Sequence, residues 1–320
     1  MKQLNIAIIG LGNIGSYLYK YLKENKKILT IKNNCSPVVK FVSARNKNKT
    51  RKIKIPKREW LKNYLDATKL KDIDLIVELI GGAEGPAKKL VFAALKNKKN
   101  VVTANKALIA KYGDELSRIA EKNKVNLEFE ASVCGGVPII RSLKEGLIAN
   151  RISKIYGIFN GTSNYILSSM DKQNKSFEEV LSVAKHLGYA ESNPSADLNG
   201  DDVSSKLKIL TSLCFNSFLD DKIYVEGINE IDKIDIDNAN KLGYKIKLLG
   251  YAESLNKKIY QRVHPTLIKK TSYVASIDGV LNAVIIDGNP VGKSTIQGEG
   301  AGPAATTSAL VSDISSILRG

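Results

Sequence analysis

The isoleucine-rich stretch Leu4 to Ile9 runs straight into Gly10-Leu11-Gly12-Asn13-Ile14-Gly15, and a helical pattern follows over Tyr17 to Lys23. A strand, a glycine turn and a helix in this order constrain the fold more than any other feature of the chain. Gly10 permits the turn, Gly12 lets backbone approach a pyrophosphate, and Gly15 lets helix and strand pack closely. The N–H groups at the helix start, around Asn13 and Ile14, then face an anion. A bare glycine triplet would be read as a structural turn; flanked in this way, it predicts a dinucleotide site.

Further strand patterns at Val38–Ser43, Ile73–Leu79, Asn100–Thr103 and Asn126–Glu130 alternate with helical ones at Pro86–Leu95 and Leu108–Lys122. This alternation predicts an α/β chain with a Rossmann-type, doubly wound parallel sheet that holds its ligand at the carboxyl ends of the strands. The rhythm breaks at Gly135-Gly136-Val137-Pro138. A nucleotide-binding domain over residues 1–130 is therefore expected, followed by a second, α+β substrate domain over 131–302. The small-residue-rich helix within 303–320 is expected to pack back on the first domain. In the second domain Ser176-Phe177-Glu178-Glu179 has capping-box spacing, which starts a helix running to about Leu187. Val203, Leu207, Leu210 and Cys214 form one helical stripe of Asp201–Phe215. Tyr260–Val263, Tyr273–Ile277 and Asn282–Ile286 read as antiparallel strands.

Composition removes several classes of function. The net charge is +17 from 49 basic and 32 acidic residues over 320 positions, yet only eight of the basic residues are arginine. Arginine is the usual base-reading side chain, and the lysines are scattered, so a nucleic-acid partner is not expected. The apolar runs are too short to span a bilayer, and the amino terminus lacks the pattern of a signal peptide. Three irregularly spaced cysteines argue against a disulfide framework or a zinc site, and together these features predict a cytoplasmic protein.

An acidic residue at the end of the second strand would mark NAD, and none is present there. The segment reads Ser43-Ala44-Arg45-Asn46-Lys47-Asn48-Lys49, and its cations suit a 2′-phosphate. NADP is therefore expected ahead of NAD, with Arg45 at the phosphate; a plain solvated basic loop is the alternative.

Several motifs then follow in order: Val77-Glu78-Leu79-Ile80-Gly81-Gly82, Thr103-Ala104-Asn105-Lys106, the run from Phe129 to Pro138, Asn160-Gly161-Thr162, Gly188-Tyr189-Ala190-Glu191, Asp197-Leu198-Asn199-Gly200, Arg262-Val263-His264-Pro265 and Gly298-Glu299-Gly300-Ala301-Gly302. In order and spacing they resemble the homoserine dehydrogenases over nearly the whole chain. The resemblance implies interconversion of aspartate 4-semialdehyde and homoserine, with Lys206 and Lys106 as catalytic residues. It places Glu191, Asp202, Asp197, Tyr189, Thr162 and Gly161 at the substrate. Gly10, Gly12, Asn13, Ile14, Gly15, Arg45, Thr103, Lys106 and Gly302 fall at the cofactor. It also implies a monovalent cation such as Na+ held by Glu130, Val133, Gly135 and Val137, and a homodimer built through the second domain's sheet. Physical reasoning agrees at one point in particular. Asp202 and Lys206 lie four residues apart on one helix face, where a carboxylate keeps an ammonium charged and ready to stabilise an oxyanion and give it a proton.

A rival enzyme class, a phosphate-dependent semialdehyde dehydrogenase, would use Cys134 as a thioester-forming nucleophile on a similar two-domain plan. His264, before Pro265, suits either substrate orientation or a packed sheet edge, while His186 reads as ordinary filling. Members of the family that are regulated by threonine carry an additional C-terminal domain and are longer, so that form of feedback is not expected for these 320 residues.

Overall fold

The computed structural model describes residues 2–215, 223–256 and 258–319. The chain divides into two compact units, residues 1–135 with 302–320, and residues 136–301. Among the described residues no helix is long and apolar enough to cross a membrane.

In the first unit β1 (Lys2–Ile9) is followed by α1 (Asn13–Glu24), α2 (Lys26–Asn33) and β2 (Cys35–Ser43). Next come β3 (Leu75–Glu78), α3 (Pro86–Lys96), β4 (Asn100–Thr103), α4 (Lys106–Asn123) and the two-residue β5 (Leu127–Glu128). The sheet is parallel with strand order β2-β1-β3-β4-β5, so the direction of winding reverses between β1 and β3. Strands buried on both faces need continuous apolar runs, and Ile6, Ala7, Ile8, Ile9, Leu75, Ile76 and Val77 supply them. The parallel arrangement brings the carboxyl ends Ile9, Ser43, Glu78 and Thr103 to one edge, paired Ile9 with Ser43, Ile9 with Glu78 and Glu78 with Thr103. The C-terminal helix Pro303–Arg319 buries Ala309, Leu310, Ile314, Ile317 and Leu318 in the same core as Leu4, Ile6 and Ile8.

The second unit contains α5 (Ile139–Arg141), β6 (Arg151–Ile158), α6 (Gly161–Gln173), α7 (Phe177–His186), α8 (Ser195–Leu198) and α9 (Asp201–Phe215). It continues with β7 (Tyr224–Val225), α10 (Lys233–Lys241), β8 (Tyr244–Leu255), β9 (Lys258–Lys269), β10 (Leu281–Asn289) and β11 (Gly292–Glu299). Its sheet has the order β11-β10-β6-β8-β9-β7 and is antiparallel except where β7 meets β9.

Two expectations are corrected in detail. Tyr273–Ile277 is not a strand: Tyr273–Ser276 forms a 3-10 turn, with Val274 and Ala275 buried in it. Its β-favouring residues serve packing over the sheet, where Val274 and Ile277 join a core with Ile158, Leu249 and Ile285. The strand expected to reach Glu130 stops at Glu128, because Glu130–Ser132 turns as a 3-10 element whose first N–H, that of Glu130, is held by the Asp313 carboxylate. The sequence pattern also missed β6, β7, β8 and β11, as well as α2, α6 and α10. By contrast the Ser176/Glu179 capping box forms as expected, and α7 ends at His186 before Gly188.

Candidate active site

One group of candidate residues lies along the carboxyl edge of the parallel sheet. Gly10 takes φ +112°, and a Cβ there would sit 2.3 Å from the Leu79 carbonyl oxygen. A Cβ on Gly15 would lie 1.9 Å from the Gly10 oxygen, so helix α1 approaches the turn only because glycine stands there. Gly12 is different: a Cβ would meet nothing within 4 Å. It precedes α1, whose first N–H groups donate to no capping side chain, so an anion-attracting helix end faces the space beside the turn. That space is a cavity of about 1030 Å³ lined in part by Gly10, Gly12, Arg45, Asn46, Arg51 and Ile80. Its size and composition fit a dinucleotide: a pyrophosphate at the glycine turn, apolar walls from Leu11 and Leu79, and the cations Arg45, Lys49 and Arg51.

Arg45 is exposed at the end of β2. Sequence reasoning missed Arg51, which organises this loop. Its guanidinium donates to the carbonyls of Leu11 (Nε, 3.1 Å), Asn46 (2.7 Å), Lys47 (3.1 Å) and Lys49 (2.8 Å), and so ties the basic loop to the glycine turn. It also stacks on Trp60 at 5.5 Å. Only its place inside a basic run could have pointed to it.

Glu78, at the end of β3, is completely buried. Its Oε1 accepts from the N–H groups of Ile80 (2.7 Å) and Gly81 (3.0 Å), and its Oε2 accepts from the Thr103 hydroxyl. Asn105 caps α4 through Leu108 N and donates to the Gly82 carbonyl. These bonds fix the loop that follows β3. Thr103, expected at the cofactor, is therefore a buried residue whose hydroxyl is already committed to Glu78 and to Asn105 N. Lys106 is half-buried as the first residue of α4, and Gly302 (φ +100°) precedes the C-terminal helix. Farther along the loop, the Lys111 ammonium and the Tyr112 hydroxyl hold the Glu84 carboxyl down at about 2.

The other candidate residues gather in the second unit where β6 passes into α6. Lys206 Nζ donates to the Phe159 carbonyl at 2.6 Å and to Asp202 Oδ2 at 2.7 Å. The Asp202 side chain is 3% exposed and the Lys206 side chain 12%, so the pair sits in a weakly screened environment. Asn160 Nδ2 donates to Asp202 Oδ2 and to Asp197 Oδ1, each at 2.8 Å. Thr162 is buried and donates to the Tyr189 carbonyl, while Tyr165 packs against Tyr189 with ring centroids 5.0 Å apart. Gly161 lies against Val280, whose oxygen would be 2.7 Å from a Cβ there. Gly161, Thr162, Tyr189, Asp197, Asp202 and Lys206 are thus brought to one place, and Glu191 lies exposed two residues beyond Tyr189.

His264 sits in β9 opposite Leu249, its Nδ1 2.8 Å from the Pro265 carbonyl and 3.3 Å from the Thr266 hydroxyl. Cys134 is 1% exposed. Glu130, Val133, Gly135 and Val137 are buried, and the Glu130 and Val137 carbonyls accept from Val133 N (3.3 Å) and Ile139 N (2.7 Å). Among the described residues no group of three or more His, Cys, Asp or Glu could hold a metal ion, so a cation in this segment would rest on carbonyl oxygens.

Residues 10–130 match the NAD-binding domain of homoserine dehydrogenase, and residues 138–315 match the homoserine dehydrogenase domain itself. The chain belongs to the homoserine dehydrogenase family. A homoserine dehydrogenase of Neisseria gonorrhoeae is 42% identical over 100% of this chain and 73% of its own length. One from Helicobacter pylori is 43% identical over 99% of this chain and 74% of its own length. Among solved structures, a homoserine dehydrogenase from Thiobacillus denitrificans superposes with a TM-score of 0.95 at 42% identity, covering 100% of this chain and 74% of that one. A hyperthermophilic archaeal homoserine dehydrogenase in complex with NADPH gives a TM-score of 0.83 at 25% identity, covering 98% of this chain and 96% of that one. The family is one of NAD(P)-dependent oxidoreductases that act on the hydroxyl group of homoserine, which supports that reading over the thioester chemistry considered for Cys134.

Proposed function

We propose that this homoserine dehydrogenase prefers NADP and that Lys206 is its proton-transfer residue. The reading is carried by the Lys206 ammonium, held 2.7 Å from Asp202 in a nearly buried position. When bound, the nicotinamide ring supplies a hydride to the aldehyde carbon of aspartate 4-semialdehyde, or accepts one from homoserine. As the carbonyl oxygen gains negative charge, Lys206 stabilises it and gives it a proton; in the oxidative direction Lys206 takes that proton back. In the reductive direction Asp202 keeps the amine protonated until the aldehyde is bound; in the oxidative direction the amine must first lose a proton before it can accept that of homoserine. Asp197, Asp202 and Glu191 provide negative charge for the substrate's ammonium, with Gly161, Thr162 and Tyr189 shaping the surrounding wall. Lys106 receives its catalytic role from the family resemblance.

For the cofactor, Gly10, Gly12 and Gly15 with the N–H groups of Asn13 and Ile14 would hold the pyrophosphate, and Arg45 and its lysine-rich loop the 2′-phosphate. Thr103 contributes through the shape of the loop after β3, and Gly302 by its small size. The resemblance further supports a monovalent cation such as Na+ on the carbonyls of Glu130, Val133, Gly135 and Val137. It also supports a cytoplasmic homodimer formed through the six-stranded sheet, where β8 and β9 expose Leu255, Tyr260 and Leu267.

Purified protein given homoserine is expected to reduce NADP with a kcat/KM at least about tenfold above that for NAD, the effect of one charge-assisted contact. Equal values would remove the preference. Cys134→Ala should keep its turnover, whereas complete loss would restore the thioester reading.

A further inference from the structure

Asn160 is the residue before α6, with an extended backbone (φ −132°, ψ 121°), and it is 4% exposed. Its Oδ1 accepts from Ser163 N at 2.8 Å, capping the helix. That bond fixes which way the side-chain amide faces, because only the oxygen can accept there. Both protons of Nδ2 are left to point at acids, and each finds one: Asp197 Oδ1 from α8 and Asp202 Oδ2 from α9, both at 2.8 Å. The same Asp202 oxygen accepts from Lys206, which also donates to the carbonyl of Phe159, the residue preceding Asn160. One dipeptide thus contacts both carboxylates and the ammonium.

An amide NH2 can only donate, so each carboxylate oxygen facing it must present a lone pair. The two carboxylates suit a substrate carrying its own ammonium. We infer that Asn160 is a positioning residue of the dehydrogenase reaction: its amide holds Asp197 and Asp202 as paired acceptors, and through Asp202 holds the Lys206 amine where it exchanges its proton. This inference rests on the assignment of Lys206 proposed above.

Asparagine and aspartate are comparable helix N-caps. Asn160→Asp keeps the capping oxygen and the shape of the side chain, but turns two donors into an acceptor facing two carboxylates, which repel it. If Asn160 only capped α6, the repulsion would cost stability and leave kcat of the folded variant little changed. The experiment compares wild-type full-length protein with Asn160→Asp and Asn160→Ser, measuring kcat with homoserine, KM for NADP and the thermal midpoint. Both variants are expected to keep the wild-type KM for NADP and to lose kcat by roughly 30-fold or more, the scale seen when a hydrogen-bonded catalytic group is left misplaced. Serine also caps helices, so Asn160→Ser carries the test if the aspartate variant does not fold. Variants that fold and turn over within threefold of wild type would reduce Asn160 to a helix cap and overturn the inference. Wild-type protein that fails to oxidise homoserine would overturn the function proposed above, and this inference with it.

Discussion

Along the carboxyl edge of the parallel sheet, the first unit's candidate cofactor region is made mostly of what side chains leave out. Gly12 presents a bare face to the cavity, Gly10 and Gly15 allow backbone to approach backbone, and Arg51 and Glu78 use their charges on main-chain groups. Around Lys206 in the second unit the opposite holds. An ammonium, two carboxylates and an amide are linked by hydrogen bonds, from Lys206 to Asp202 and from Asn160 to Asp202 and Asp197. The first region is a mould for a large, chemically fixed molecule, for which the right shape and a positive potential suffice. The second, on the function proposed for Lys206, would handle a proton, for which the protonation state and placement of single atoms decide the rate.

The sharpest way to break this contrast is Lys206→Ala, which should lower kcat on the order of a thousandfold while NADP binding by fluorescence stays as in wild type. A loss below tenfold would mean that the proton moves elsewhere. Glycine substitutions probe the mould. Gly15→Ala places a methyl group 1.9 Å from the Gly10 oxygen and should cost about 3 kcal/mol of stability in denaturant melts. Gly12→Ala meets nothing within 4 Å, so its melting should match wild type while NADP affinity falls. Two variants with the same melting behaviour would contradict the roles given to these glycines.

A third comparison uses a charge in the second unit that is buried for structure. Lys247 is 1% exposed and donates to the Ile277 carbonyl at 2.6 Å and to Asp278 at 2.8 Å. Burial pushes the Lys247 ammonium down. Burial would also raise the Asp278 carboxyl, but the hydrogen bonds from Lys247 and Lys172 outweigh it and hold that carboxyl below the usual range. A depressed carboxylate contributes stability that is present above its unfolded value and is lost as pH falls through the folded one. Asp278→Asn should therefore cost about 3 kcal/mol near neutral pH and flatten the acid limb of the stability curve. Adding Lys247→Met should recover part of the loss; no recovery would mean that the lysine was not left unpaired. The smallest effect belongs to Arg51→Ala, expected to raise KM for NADP about tenfold with kcat little changed, as a loosened basic loop would require. An unchanged KM would leave Arg51 a purely structural tie.

How far each region could be read from the sequence follows the same division. The mould was legible because a glycine turn between a strand and a helix leaves a local signature, and all of Gly10, Gly12 and Gly15 fall within six residues. Arg51 was not, because its partners are carbonyls, and any residue has a carbonyl. In the second unit the Asp202 and Lys206 pair was visible as one helix face, whereas Asn160 makes its contacts across |i−j| of 37 and 42, beyond any local pattern. Tyr273–Ile277 misled for a related reason. Its Tyr and Val suit a strand, but packing over the sheet, which sequence periodicity does not encode, bent the segment into a turn.

The helix that contributes Leu310 and Ile314 to the core of the first unit, and the Asp313 carboxylate to Glu130 N, lies at the far end of the chain from β1. On the ribosome, residues 136–301 leave the exit tunnel before this helix does. The nucleotide-binding unit must therefore wait, with part of its apolar interior uncovered, until a whole neighbouring unit has been synthesised. Folding of the two halves during translation is thus nested, the inner one closing before the outer one can.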